Sequence, residues 1–366
     1  RRRVVRDPGA HGVSGVTVTD ADAGATDVVG DRGDPDGTAA ATAATARRTP
    51  MSWLAPATAS PWAGRLVFVA FAAALWFLPE LLRDPTRVRQ FAEYLTYAMV
   101  AVGIDVAWGY GGMLVLGQGL FFGLGAYAMG MHLSLEQVEP GQLPQFMSLY
   151  SDHQELPLLW KPFASLPFAV AAAVLVPVVV ASLLGLLVFR NRVRGPYFAI
   201  LTQALALVFT LVLVDQLPLT AGTNGLTNFT TIFGRSKYDP GTPEYLYGLA
   251  LGGLLLVVAL GWMFVHSRLG RLLVAVRDGE DRVRFLGYDP AVVKTIAFAV
   301  AAGMAGLAGA LAAPIIGIVA PNQFAVVPSI LMVCWVAVGG RGAIWGAVVG
   351  ALLVSWGKTN FSEARP

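Results

Sequence analysis

The sequence predicts an all-α protein, a polytopic transmembrane helix bundle of about nine to ten spans, some of them broken or short. Three observations carry that prediction. Of 366 residues only 13% are charged and 55% are hydrophobic, whereas soluble domains carry about a quarter charged residues. Apolar runs near or above the ~18 residues that suit a spanning helix recur along most of the chain. The basic residues gather in particular loops rather than on one face, so the net charge of +3 gives no reason to expect a nucleic-acid partner.

Residues 1–50 differ from the rest. They are rich in Gly, Ala, Asp, Thr and Arg, have hardly any large apolar residue and cannot supply a core. They read as a disordered tail or as an over-extended start, with Met51 as the true initiator; the second reading is the one adopted. No apolar core follows Arg1–Arg3, so no secretory signal is expected. The membrane part is then 51–366. Helices are expected near 64–82, 91–109, 111–132, 167–190, 196–215, 245–265, 294–318, 326–339 and 343–357. Pro177, Pro314, Pro328 and many glycines interrupt them, as membrane helices tolerate where neighbours satisfy the backbone. The chain stops just after an apparent span, and a further helix is expected beyond Pro366.

Basic loops orient the spans. Arg190, Arg192 and Arg194 mark one cytoplasmic turn, and Arg268, Arg271, Arg277, Arg282 and Arg284 mark another. The segment 133–166, with Glu136, Glu139, Asp152 and Glu155 against Lys161, then faces outward. The same count puts Arg83, Arg87 and Arg89 outside, against the rule.

Several signals have two readings. The loop 266–294 is highly charged yet carries Leu269, Leu272, Leu273 and Val276 at helical spacing, broken by Asp278-Gly279. A short helix there suits docking on a soluble partner; a solvated or lipid-touching basic loop is the alternative. Gly117, Gly119, Gly123 and Gly125 lack the spacing and βαβ context of a nucleotide loop. With Gly303, Gly306 and Gly309 they fit close helix packing. Gly357-Lys358-Thr359 is no phosphate loop, because Leu352 stands where its first glycine is required. Asp105 lies deep in an apolar span, as a pore-lining or gate residue or as a structural hydrogen-bond acceptor near the cytoplasmic end. Thr223, Asn224, Asn322 and Gln323, near outer ends of spans, receive substrate or cap helices. Cys334 is the single cysteine, and His11, His132, His153 and His266 have no ligand spacing, so no metal site is expected.

The run from Ser267 to Leu311 resembles the cytoplasmic coupling loop and following helix of bacterial permeases that import branched-chain amino acids or urea. Residues 109–131 resemble their glycine-rich broken helix, and 194–206 and 221–226 two further signatures. Together the matches cover roughly 91–363 in family order. Segments 104–112, 223–229, 283–289, 334–342 and 358–364 look closer to the urea branch. Two departures occur: Val115-Leu116-Gly117-Gln118 stands for the usual Ser-Leu-Gly-His, and Ala221-Gly222 for Gly-Gly.

The resemblance implies a transport subunit of an ATP-binding-cassette importer in the bacterial cytoplasmic membrane, moving urea or a short amide inward by alternating access. It also implies a last helix beyond the present end. Its coupling loop would include Ser267, Arg268, Gly270, Arg271, Ala275, Arg277, Arg282, Gly287 and Tyr288, and Asp105, Gln118, Thr223, Asn224, Asn322 and Gln323 are the pore candidates. Expected partners are a second homologous permease, two ATPase subunits that bind ATP and Mg, a periplasmic or extracellular substrate-binding protein, and the bilayer. No cofactor is expected in this chain. A branched-chain amino acid permease is the alternative within the family. A channel or secondary transporter would show more mid-membrane acids, and a membrane enzyme a catalytic set in the spans; neither pattern is found.

Overall fold

A backbone out of water must satisfy its own hydrogen bonds, and the apolar runs do so as helices. A computed structural model describes residues 70–82, 84–139, 142–150, 156–193 and 195–363. The expectations for 1–50, the start of the 64–82 helix, Arg83, Asp152, Glu155, Arg194 and the end of the chain lie outside them. Nine helices have fourteen residues or more among the described residues: α1 Pro85–Ile104, α2 Gln118–Glu136, α3 Leu166–Arg190, α4 Pro196–Asp215, α5 Thr242–His266, α6 Arg268–Phe285, α7 Pro290–Ile316, α8 Val326–Gly339 and α9 Ile344–Glu363. Proline sits in the first turn of α1, α3, α4, α5 and α7, where its missing N–H costs nothing. Asp84 and Asp289 cap α1 and α7 by accepting from the Thr86 and Ala291 amides, each at 2.9 Å. A two-residue ribbon, β1 Thr231–Ile232 with β2 Arg235–Ser236, folds the loop before α5.

Helix α7 is the centre of the bundle. Of its most apolar stretch 78% is buried, against 28–39% for α3, α4 and α5, which face the lipid. It is built from small residues, so neighbouring backbones reach it. A Cβ at Gly309 would stand 1.9 Å from the Phe122 carbonyl oxygen on α2, and one at Gly125 on α2 1.9 Å from that of Gly306. Gly306 meets the Ala173 carbonyl of α3 in the same way. This is the close-packing role expected of these glycines.

Four helices are individually long and apolar enough to cross a bilayer, and α8 with α9 forms a fifth unit bent by 120° at a short break. The expected nine to ten spans are therefore not all oily spans of standard length. Helices α1 and α2 carry polar residues because other helices enclose them: twelve of the twenty residues of α1 and fifteen of the nineteen of α2 are buried. Helix α8 has only 14 residues, about 21 Å against a hydrocarbon core of about 30 Å. The pair is thus a hairpin that enters and turns back. The expected 111–132 helix starts only at Gln118. Ahead of it the chain is irregular, since Gly112 takes a φ of +68°, a conformation glycine adopts freely.

The arginine-rich turns after α3 and around α6 lie at one end of the bundle, the cytoplasmic end. One of the conflicting arginines, Arg89, has a structural explanation. Arg89 sits at the opposite end, where its guanidinium donates to the Ile315 carbonyl and, at 2.7 Å, to that of Ile316. It closes the C-terminus of α7 and carries no topological message. Lys237 stands beside it near Gly317; burial, and then Arg89, hold its ammonium below the usual lysine value. Arg89→Ala leaves those carbonyls unpaired. It should lower stability by about 1–3 kcal/mol, read as a fall in thermal unfolding midpoint of the detergent-purified protein, with Arg89→Lys recovering only part.

Candidate functional site

Three groups of residues stand out, at the cytoplasmic end, at mid-depth and at the outer end.

At the cytoplasmic end the chain turns sharply from α5 into α6. The Ser267 hydroxyl accepts from the Gly270 amide (3.2 Å) and donates to the Phe264 carbonyl (2.6 Å), while Arg271 donates to the His266 carbonyl (2.9 Å). A Cβ at Gly270 would meet the Val265 carbonyl oxygen at 2.2 Å, so this turn needs glycine. Helix α6 kinks where Gly279 leaves the helical region, at the predicted break. Most of its apolar pattern faces the bundle, although Leu269 is exposed. Leu273, Val276 and Val283 are buried in a cluster with Ala107, Met113, Val188 and Ala297. What α6 presents to the cytoplasm is Arg268, Arg271, Ala275 and Arg282, and after them a tip of Phe285, Leu286, Gly287 and Tyr288. Phe285 is 91% and Leu286 75% exposed. Gly287, at φ +87°, makes that tip turn. The second half of the helix is tied to α7 by a partly buried Glu280–Lys294 ion pair at 2.7 Å.

Arg277 reaches back into the bundle. It donates to the Gly109 carbonyl at 2.8 Å, in the π-helical turn Asp105–Tyr110 that ends α1. The same turn grips the α8–α9 hairpin. Asp105, fully buried, accepts from the Gly342 amide at 2.6 Å, and Arg341 lies over the Trp108 ring at 4.7 Å. Asp105 Oδ1 is thus an acceptor near the cytoplasmic end, while among the described residues its Oδ2 has no hydrogen-bond partner.

At mid-depth α2 begins. Gly117 lets it approach the Thr202 carbonyl of α4, and Gln118, fully buried, donates to the Ala301 carbonyl of α7 at 2.9 Å. The Gln118 Oε1 has no partner.

At the outer end Thr223, Asn224 and Asn322 are exposed. Gln323 accepts from the Ala320 amide at 3.3 Å, capping its own turn. Paired 2.9 Å bonds between Leu226 and Val319 pin the two outer loops together. Gln323 also lines a half-enclosed cavity of about 450 Å3 between α1, α8 and α9. The α1 wall offers Gln90, Glu93 and Tyr97, and the α9 wall Lys358 and Thr359. The Tyr97 hydroxyl donates to Glu93 and that of Tyr94 to Thr359, each at 2.5 Å. Tyr97 stacks on Trp335 at 4.9 Å, 28° from parallel, at the cavity's inner end.

Of the pore candidates, only Gln323 lines this cavity. Sequence reasoning passed over Glu93, although it is an acid inside a predicted span. The signal was available: positions 90, 93, 94 and 97 are all polar or aromatic hydroxyl residues at helical spacing on α1. Lys358 entered only within a false phosphate motif and a family-resembling segment, with no role of its own. Among the described residues no cluster of His, Cys, Asp and Glu is placed to hold a metal ion, and Cys334 is exposed.

Comparison with known proteins agrees with this architecture. Residues 91–364 match a family described as "Branched-chain amino acid transport system / permease component". The chain is 30% identical over 289 residues to the high-affinity branched-chain amino acid transport system permease protein LivM of Escherichia coli K12, covering 71% of this chain and 60% of that protein. It is 23% identical over 194 residues to the ribose import permease protein RbsC of the same strain, covering 51% of this chain and 59% of that one. To the autoinducer 2 import system permease protein LsrC of Salmonella paratyphi B it is 31% identical over 121 residues, 31% of this chain and 35% of that protein. The chain thus spans about 60% of the length of the first two relatives. No solved structure matches it.

Proposed function

Because this chain belongs to the family of permease components of branched-chain amino acid transport systems, we propose that it is the pathway-forming subunit of an ATP-driven importer in a bacterial cytoplasmic membrane. In this reading it works beside a second homologous permease. Two ATPase subunits bind and hydrolyse ATP with Mg, and a substrate-binding protein delivers the solute from outside.

The observation that carries this is α6. A helix outside the oily core, buried on its apolar side and ending in an exposed aromatic tip, is a lever with a handle. Arg277 couples it to the π-helical turn of α1, and Asp105 couples that turn to the α8–α9 hairpin. When the ATPase pair closes on nucleotide, a displacement of α6 reaches the helices around the outer cavity through these two bonds. Ser267, Gly270 and Arg271 hold the lever's root, Gly287 and Tyr288 shape its end, and Arg268, Ala275 and Arg282 give its outer face.

For the solute, the segments around 223–229, 283–289 and 334–342 support urea or a short amide. The named amino acid permeases among the relatives favour a second reading, a branched-chain amino acid. Membrane vesicles holding the assembled importer and its binding protein should take up labelled urea only with ATP inside. Leucine uptake without urea uptake overturns the urea reading; ATP-driven uptake of neither overturns the importer reading.

A further inference from the structure

The outer cavity holds a carboxylate, Glu93, half-buried in its wall. Among the described residues, Glu93 has the Tyr97 hydroxyl as its hydrogen-bond partner and no ion pair. The nearby Arg89 donates to the end of α7 and also acts on Glu93 by charge, without an ion-pair contact. Charged groups inside a membrane protein face a wet cavity or a pathway, and Glu93 faces one. Lys358 brings the opposite charge to the far wall. A chamber with an acceptor on one side and a cation on the other suits a solute carrying N–H and carbonyl or carboxylate groups together.

The floor is closed. The Tyr97–Trp335 stack covers it, and below it every α1 residue from Ala98 to Ile104, Gly103 apart, is fully shielded. Two polar side chains sit at the floor without a partner, the Trp335 Nε1–H and the Ser355 hydroxyl, on residues 3% and 5% exposed. An unpaired buried donor costs about 1–3 kcal/mol. Both residues line the cavity, so these two groups are placed to pair with a solute that reaches its floor.

We propose that this cavity is a solute-binding chamber in the permease itself, that Glu93 selects the N–H-bearing end of the solute, and that Tyr97 and Trp335 form a gate beneath it. When the stack parts, Trp335 Nε1 and Ser355 Oγ meet the solute's acceptor oxygen on its way inward. The gate is within reach of the lever: α8 carries Trp335 and leads directly into the hairpin turn held by Asp105. The inference rests on the importer reading and deepens it.

The test uses the assembled importer in right-side-out vesicles. With the single cysteine removed as Cys334→Ser, Gln90→Cys and Thr359→Cys report on the chamber through a membrane-impermeant thiol reagent added outside. Both should label, and either urea or leucine should slow labelling at least fivefold; the solute that does so identifies which source of the shared amide or amino acid chemistry is used. Adding Glu93→Gln should abolish the protection and leave labelling itself intact, and Trp335→Ala should permit solute leak without ATP. Labelling that neither solute slows, or protection that survives Glu93→Gln, overturns the proposal. ATP-driven uptake in the same vesicles separates the two claims. Uptake without protection sinks the chamber and spares the importer, and protection without uptake does the reverse.

Discussion

Replacing Phe285 and Leu286 together with aspartate is expected to abolish ATP-driven uptake and to release the ATPase subunits, with the membrane part still inserted and folded. Both side chains stand in water at the tip of α6, so the fold gains nothing from them. The residue that anchors this segment is Val283, 3% exposed, and it is left untouched. An exposed aromatic-aliphatic pair on a glycine turn has the character of an interface anchor. Losing one such anchor costs about 2 kcal/mol, roughly 30-fold in affinity, and losing two while burying charge costs more. Co-purification of the ATPase subunits and solute-stimulated ATP hydrolysis in reconstituted complexes measure it. Coupling that survives the double change would move the docking surface to the arginine face of α6.

The second large effect is expected in the centre of the bundle. Gly125→Leu or Gly309→Leu should prevent accumulation of folded protein. At each position the first added carbon already lands 1.9 Å from a carbonyl oxygen of the facing helix. A backbone cannot swing aside as a side chain does, so α2 and α7 must separate along their length. Overpacking typically costs about 1–3 kcal/mol, and a backbone clash on the central helix lies at or beyond the top of that range. The control is Gly252→Ala on α5, where nothing lies within 4 Å and alanine favours the helix. Yield of monodisperse protein and its unfolding midpoint should fall sharply for the first two and hold or rise for the control.

What was legible in the sequence is what adjacent residues decide. The spans of α3, α4, α5 and α7 were placed within a few residues because each is a continuous apolar run closed by proline, arginine or glycine, and lipid demands such runs. The break of α6 at Gly279 and the close-packing glycines were legible for the same reason. Other features depend on neighbours distant in the chain. That Leu273, Val276 and Val283 of α6 face the bundle is decided by Ala107 and Ala297 beneath them. Arg89 was a contradiction in sequence because its acceptors lie 226 and 227 residues away.

For the candidate site the same division holds. Ser267, Gly270 and Gly287 were named in advance through the family resemblance of their loop, and the structure adds the turn geometry that Gly270 and Gly287 serve. Glu93, Lys358 and Trp335 could not be joined, because a cavity forms only when α1, α8 and α9 come together. By itself the sequence determined a helical membrane protein, its arginine-rich cytoplasmic end and the helix that leaves the membrane there. The tertiary structure alone decided that α8 and α9 turn back as a hairpin, that Asp105 ties that hairpin to α1, and that Glu93, Lys358 and the Tyr97–Trp335 stack line one cavity. Hydropathy is a property of each segment taken singly, whereas a cavity and the bonds that tie one helix to another are properties of which segments touch.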